Sequence, residues 1–156
     1  MPKRQFTSLD SACDAARERL GVTLFTVTVI ADDNTSVARI YTSHSEAYPV
    51  GGRKLLDKSQ TSPIWFEQVL TNQQPFLGLH KQAVREFFFD FETIEGLGCG
   101  AIINMPVVSG QGVTIGSINF LAPEGVLTGA SVAAALEITQ QSTAAVQAGL
   151  TVLGAE

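Results

Sequence analysis

The sequence is poor in charge and in cysteine, and each shortage excludes a class of protein. Only 16% of the 156 residues are charged and 45% are hydrophobic, which is a balance typical of a folded chain rather than a disordered one. Ten Lys and Arg stand against fifteen Asp and Glu. This acidic balance argues against a broad nucleic-acid-binding surface, because such a surface needs clustered cations. Two cysteines are too few for a disulfide framework.

Long apolar runs are also missing. No stretch approaches the about 18 apolar residues that a membrane-spanning helix needs. The N-terminal residues include two cations but no apolar core, so we expect no signal peptide. The length is that of one ordinary domain, and no linker or repeat divides the chain. We therefore predict a single cytoplasmic domain over residues 1–156.

The alternation of apolar and polar residues predicts two hairpins between two helices. In the first hairpin, Phe25 and Val27 alternate with Thr26 and Thr28, as in a strand with two different faces. The predicted helices span 8–20, 62–70, 81–89, 90–98 and 128–150. The predicted strands span 22–30, 37–42, 75–79, 100–108 and 113–121, and 43–60 is predicted to be irregular.

This order predicts the α+β class. Hairpins imply a central antiparallel sheet, here of about five or six strands, and the terminal helices can cover one of its faces. The loops and short helices between the hairpins then form a lid on the other face. A sheet beneath such a lid is a natural place for a small-molecule cavity.

Two segments near the C-terminus carry a resemblance to a known family. They are NMPVV at 104–108 and IGSINFL at 115–121, joined by a polar turn and followed by a long helix. This arrangement resembles the GAF domain, and YPVGG at 48–52 and LGCGAIIN at 97–104 are similar to short, single-domain bacterial GAF proteins. The resemblance covers residues 12–146. It implies a domain that binds cyclic nucleotides, tetrapyrroles, haem, amino acids or oxo-acids, or one that only dimerises.

Aromatic and polar residues in the lid are candidates for a ligand site. Three consecutive residues, Phe87–Phe89, cannot all lie on one helical stripe, so some of them face a cavity or a partner chain. Asn104 and Asn119 lie on adjacent strands, where they either pair with each other or point into the cavity. The predicted ligand-binding residues are Tyr48, Trp65, Phe88, Phe89, Asp90, Cys99 and Asn104.

Cys99 supports an alternative, enzymatic interpretation. Free methionine-R-sulfoxide reductases have a GAF fold and use cysteines in the loop that leads into the second hairpin. This sequence departs from that pattern, because its only other thiol is Cys13, which we expect behind the sheet. The acidic neighbours Asp90, Glu92 and Glu95 also disfavour a thiolate. We therefore predict no catalytic residue, with Cys99 as the runner-up.

We favour a stand-alone sensory GAF protein over an enzyme. It would bind a small, partly apolar molecule between sheet and lid and act through a protein partner. His44 and His80 show no ligand spacing, so we predict no metal and no cofactor. The Ala-rich final helix predicts a homodimer through the terminal helices, and a pure dimerisation module is a further alternative. We predict no nucleic-acid or membrane partner.

Overall fold

The computed structural model describes residues 4–31, 34–57 and 60–155. Its helices are α1 (Leu9–Leu20), α2 (Pro63–Trp65), α3 (Lys81–Phe87), α4 (Phe91–Gly96) and α5 (Ser131–Ala155), and a π-helical turn (Phe66–Thr71) continues α2. Its strands are β1 (Leu24–Ala31), β2 (Ser36–Thr42), β3 (Arg53–Leu55), β4 (Phe76–Gly78), β5 (Ala101–Val108) and β6 (Thr114–Ala122).

Local sequence signals determine where the first helix begins and ends. The Ser8 hydroxyl accepts a hydrogen bond from the backbone N–H of Ser11 at 3.2 Å, which caps α1. Gly21 has a φ of 69° and donates its N–H to the carbonyl of Arg17. This left-handed conformation is open to glycine without strain, and it stops the helix where the sequence predicts.

The strands form one antiparallel sheet in the order β3-β2-β1-β6-β5-β4. This confirms the predicted α+β class, and the described residues form six strands where about five or six were predicted. The third strand was not predicted, because three residues are too few to show an alternation. It pairs with the start of β2, where Val37 lies opposite Lys54 and Ala38 lies opposite Arg53.

The two faces of the sheet carry separate cores. Phe25 and Val27 pack in the larger core, which α1 and α5 cover. Leu24 points the other way and belongs to a second core with residues of α2, α3 and α4, including Trp65. The predicted arrangement of terminal helices on one face and a lid on the other is thus confirmed.

Four helices differ from the prediction at their ends. α4 spans Phe91–Gly96 instead of 90–98, and α5 spans Ser131–Ala155 instead of 128–150. The differences in α2 and α3 shape the lid. Regular α2 lasts only from Pro63 to Trp65 before it widens into the π-helical turn. α3 ends before Phe88, whose backbone is extended at φ −122° and ψ 123°. This ending buries Phe88 and leaves Phe89 57% exposed. None of the described helices is long and apolar enough to cross a bilayer.

Candidate ligand-binding cavity

A cavity of about 110 Å³ lies between the sheet and the lid. Its floor comes from β1, β5 and β6, and its walls come from β2, β3, α2 and the segment around Asp90. The described residues that line it are Leu24, Thr26, Thr28, Val37, Arg39, Tyr48, Gly52, Arg53, Lys54, Thr61, Ser62, Trp65, Phe87, Phe88, Asp90, Ile94, Ile102, Asn104, Ser117, Asn119 and Leu121.

Strand register places polar side chains in two rows on the floor. Asn104, Asn119 and Thr26 occupy directly opposed positions on β5, β6 and β1. The second row lies two residues further along β1, where Thr28 is opposite Ser117 of β6 on one side and Arg39 of β2 on the other. Because side chains at alternate positions of a strand share a face, all of these residues meet the cavity.

A hydrogen-bonded chain connects the lid to the first row. The indole Nε1–H of Trp65 donates to Asn104 Oδ1 at 2.9 Å, and Asn104 Nδ2 donates to Asn119 Oδ1 at 2.7 Å. Asn119 Nδ2 in turn donates to the hydroxyl of Thr26 at 3.0 Å. Asn104 is only 2% exposed, so these bonds satisfy a buried amide.

The Trp65 indole fixes the direction of every hydrogen bond in this series. It can only donate, so the oxygen of Asn104 must face Trp65 and the nitrogen must face Asn119. Asn119 therefore presents its oxygen to Asn104 and its nitrogen to Thr26. Thr26 accepts, and its hydroxyl hydrogen stays available for donation. The sequence left two alternatives for Asn104, pairing with Asn119 or pointing into the cavity. In the structure Asn104 does both.

The second row joins the same network. The Ser117 hydroxyl donates to Asn119 Oδ1 at 3.1 Å, since that oxygen is an acceptor only. The contact of 2.9 Å between the hydroxyls of Thr28 and Ser117 must then have Thr28 as its donor. The polar floor is therefore one connected network across β5, β6 and β1.

Arg39, Tyr48 and Asp90 form a second polar group on the wall. The Arg39 guanidinium carbon lies 4.9 Å from the centre of the Tyr48 ring, and Nη1 donates to the carbonyl of Pro49 at 3.0 Å. The Tyr48 hydroxyl donates to Asp90 Oδ2. Burial raises the pKa of Tyr48, and the neighbouring carboxylate of Asp90 raises it further, so the phenol stays protonated.

The wall also carries polar atoms with no partner. Arg39 Nε and Asp90 Oδ1 are buried, and no described residue forms a hydrogen bond with either. Burial lowers the pKa of Arg39 and of Lys54, and the Asp90 carboxylate opposes that effect in both. An unpaired buried polar atom costs about 1–3 kcal/mol of folding free energy. Both atoms belong to residues that line the cavity.

Apolar side chains complete the site. Leu24, Ile102 and Leu121 project from the floor beside the polar rows, and Phe88 and Trp65 cover them from the lid. Phe76 packs edge-on against Phe88 with ring centres 5.7 Å apart, which supports the lid from behind. The cavity therefore combines an apolar region with a dense polar one, as small-molecule sites do.

Five of the seven predicted site residues line this cavity. They are Tyr48, Trp65, Phe88, Asp90 and Asn104. Phe89 does not, because the extended backbone of Phe88 turns the next side chain outward. Cys99 does not either: it is 1% exposed and packs in the lid-side core.

The two thiols belong to the cores on opposite faces of the sheet. Cys99 belongs to the lid-side core, whereas Cys13 lies on α1 in the core behind the sheet. Burial raises the pKa of Cys99, and the backbone of Leu24 opposes this only in part. Both cysteines are free and buried. This environment favours an inert thiol over a nucleophilic one.

The histidines are used in local hydrogen bonds. His80 precedes α3 and caps it, because its Nδ1 accepts a hydrogen bond from the backbone N–H of Ala83. His44 Nδ1 lies 2.7 Å from the hydroxyl of Ser43. Within residues 4–31, 34–57 and 60–155, no group of three His, Cys, Asp or Glu side chains could hold a metal ion.

Sequence reasoning missed several residues of the site. Arg39, Arg53 and Lys54 line the cavity but were not among the predicted ligand-binding residues. A lone arginine within the apolar strand 37–42 is the signal that could have identified Arg39, since strand cations are depleted on covered faces. Nothing in the sequence marks Lys54, because its position depends on the pairing of β3 with β2.

An antiparallel sheet with a lidded cavity on one face and paired terminal helices on the other defines the class of this protein. Solved structures with this architecture match it along most of its length. A GAF domain of a two-component sensor histidine kinase from Bacillus halodurans has a TM-score of 0.66 at 12% identity, covering 96% of this chain and 99% of that one. The GAF domain/HD domain protein from Geobacter sulfurreducens has a TM-score of 0.69 at 10% identity, covering 92% of each chain.

The second GAF domain of DevS from Mycobacterium smegmatis also matches, with a TM-score of 0.62 at 13% identity over 94% of this chain and 95% of that chain. No protein-family model matches the sequence, and neither does any curated protein. The chain therefore has the GAF fold, as its sequence resemblance implies, and it matches GAF domains of bacterial sensor proteins across nearly its whole length. At these identities the likeness concerns the fold alone.

Proposed function

We propose that this protein is a sensory module that binds a small, partly apolar molecule in the cavity and acts through a protein partner. The observation that carries the proposal is the cavity itself, which joins an apolar region to a connected polar floor. The structural matches to domains of sensor histidine kinases support a sensory role. Cavity residues come from both the sheet and the lid, so a ligand that contacts both would stabilise their closed arrangement.

The chain contains one tryptophan, and it lines the cavity. Fluorescence from Trp65 therefore reports directly on occupancy. We expect protein isolated from its native cell extract to carry a small molecule in native mass spectrometry, and we expect its release to change the emission. Thr28→Phe is the matched variant, because a phenyl ring on the floor would fill much of the cavity. Loss of the bound mass in this variant, with unchanged circular dichroism, would support the proposal.

The absence of any bound mass from the wild-type protein, together with identical emission in extract and buffer, would contradict it. The alternative function, a domain that serves only for dimerisation, would then be preferred.

We further propose that α5 forms a homodimer interface. A row of positions spaced by four residues along its exposed face runs from Leu136 through Gln140, Ala144 and Ala148 to Val152. Leu136 is 44% exposed and Val152 is 62% exposed, and small alanines between them allow a second helix to approach closely. Light scattering should give about twice the chain mass of 16.6 kDa.

Leu136→Glu should shift the dimer toward monomer. Val113→Glu is the control, because Val113 is similarly exposed but precedes β6, away from α5. A monomeric wild-type protein at micromolar concentration, or an equal effect of both variants, would contradict this interface.

A further inference from the structure

Cations are concentrated around the cavity of an otherwise acidic chain. Arg39, Arg53 and Lys54 line it, which is three of the ten Lys and Arg in the sequence. Asp90 is the one carboxylate among the described lining residues. Arg39 and Lys54 are half-buried, so water screens them less than it screens surface charges. Among the half-buried charged residues of the cavity, the two cations Arg39 and Lys54 thus outnumber the carboxylate of Asp90 by one.

The polar floor presents mainly donors. Each amide nitrogen of Asn104 and Asn119 carries two hydrogens, and the network uses one of each. The Thr26 hydroxyl hydrogen is also left available by the polarity that Trp65 imposes. The guanidinium group of Arg39, which lines the cavity, adds a charged donor from the wall, and its buried Nε–H has no partner among the described residues. Asp90 Oδ1 is the one buried side-chain acceptor without a partner among the described residues, so donors outnumber acceptors and a ligand that fits these groups must be rich in acceptors.

The size of the cavity limits the ligand. A cavity of about 150 Å³ accommodates benzene, and one water occupies about 30 Å³ of liquid. The volume of about 110 Å³ therefore suits a molecule of about six non-hydrogen atoms or fewer. Nucleotides and tetrapyrroles are far larger than this space.

We propose that the cavity binds a short-chain carboxylate, with its anionic group held by Arg39 and Lys54. Its carbon chain packs against Leu24, Ile102 and Trp65, which form the apolar part of the same cavity. One negative charge balances the local excess, and two carboxylate oxygens satisfy the donor-rich surroundings. This inference rests on the proposed function and specifies its ligand class.

The test compares butanoate with butanol, butylammonium and inorganic phosphate on the full chain, using Trp65 emission and calorimetry. We expect butanoate to bind at least about tenfold more tightly than the other three. Arg39→Met should weaken butanoate about ten- to hundredfold, and Arg39→Lys should recover part of that loss. Lys54→Met should weaken it in the same direction.

Arg17→Met is the matched control. It removes the same charge from an exposed position of α1, on the other side of the sheet, and should change butanoate affinity by less than about twofold. Circular dichroism checks that each variant is folded. If Arg39→Met does not fold, Lys54→Met and the comparison of the four probes still decide the question.

Several results would overturn the carboxylate assignment: equal binding of butanol, tighter binding of phosphate, or unchanged butanoate affinity in Arg39→Met and Lys54→Met. Failure of butanoate alone leaves the cavity as a binding site if a molecule from extract binds the wild type but not Thr28→Phe. If neither the probes nor the extract give binding that Thr28→Phe abolishes, the proposed function fails as well.

Discussion

Replacing Asn104 by leucine tests whether the polar floor is one coupled network. The substitution keeps the branched shape of the side chain but removes the acceptor for Trp65 Nε1–H and the donor for Asn119 Oδ1. Asn119 keeps its bond from Ser117, so the main consequence is an unpaired indole N–H in a buried side chain. Such a group costs about 1–3 kcal/mol, and we expect the free energy of unfolding to fall by that amount.

A double-mutant cycle with Trp65→Phe isolates the bond itself. Trp65→Phe removes the donor, so Asn104→Leu should cost less in that background than in the wild type. We expect a coupling free energy of about 1–2 kcal/mol. Urea unfolding followed by circular dichroism is the appropriate assay, because one of the substitutions removes the only tryptophan.

Gln82→Leu serves as the control, since it exchanges an exposed amide of α3 for leucine and should change stability by less than about 0.5 kcal/mol. If the costs of Asn104→Leu and Trp65→Phe add within about 0.3–0.5 kcal/mol, the two residues are not coupled. The orientation assigned to the amide groups of Asn104 and Asn119 would then have no support.

Three further predictions concern backbone packing, thiol reactivity and alkaline stability. Gly116→Ala should lower the free energy of unfolding by about 3 kcal/mol or more in urea unfolding, because the added Cβ would collide with the backbone of β1. Gly110→Ala is the control: there is open space around Gly110, so the free energy of unfolding should change little. Cys99 should react slowly with iodoacetamide at neutral pH in peptide mass spectrometry, since burial raises its pKa, and fast alkylation in the folded protein would refute this. The pKa of Tyr48 is raised in the folded protein, so above pH 10 the unfolded phenol ionises before the folded one. The stabilisation that this difference reflects is complete below about pH 10 and is lost progressively as the pH rises above it. Tyr48→Phe should flatten that alkaline decline in the free energy of unfolding, and an unchanged slope would contradict the prediction.

The fold was predictable because its signals are local and repeated. Ser8 and Gly21 delimit α1 by capping chemistry alone. The alternation of Thr26 and Thr28 with apolar neighbours separates the two faces of β1 before any partner strand is known. Strand β3 carries no such signal, because it is ordered by pairing with the start of β2 rather than by its own pattern.

The site was predictable only where a residue type is unusual for its segment. Trp65 and Asn104 stand out as a polar-tipped aromatic and a strand amide, and the structure joins them by a direct hydrogen bond. The choice between Phe88 and Phe89 could not be made, since it depends on the residue at which α3 ends. A one-residue difference there decides which ring enters the cavity.

Polar side chains on a sheet face that a lid already covers reduce the stability that the face can contribute to the fold. A covered face gains most stability from apolar side chains that fill the space, and a polar network is tolerated only if its members are satisfied. Here Thr26, Asn104 and Asn119 occupy directly opposed positions, and beside them Arg39 and Asp90 keep unpaired buried atoms. Packing alone gives no reason for this combination. Departures from the most stable choice concentrate at functional sites, so the composition of this face supports a cavity maintained for a ligand.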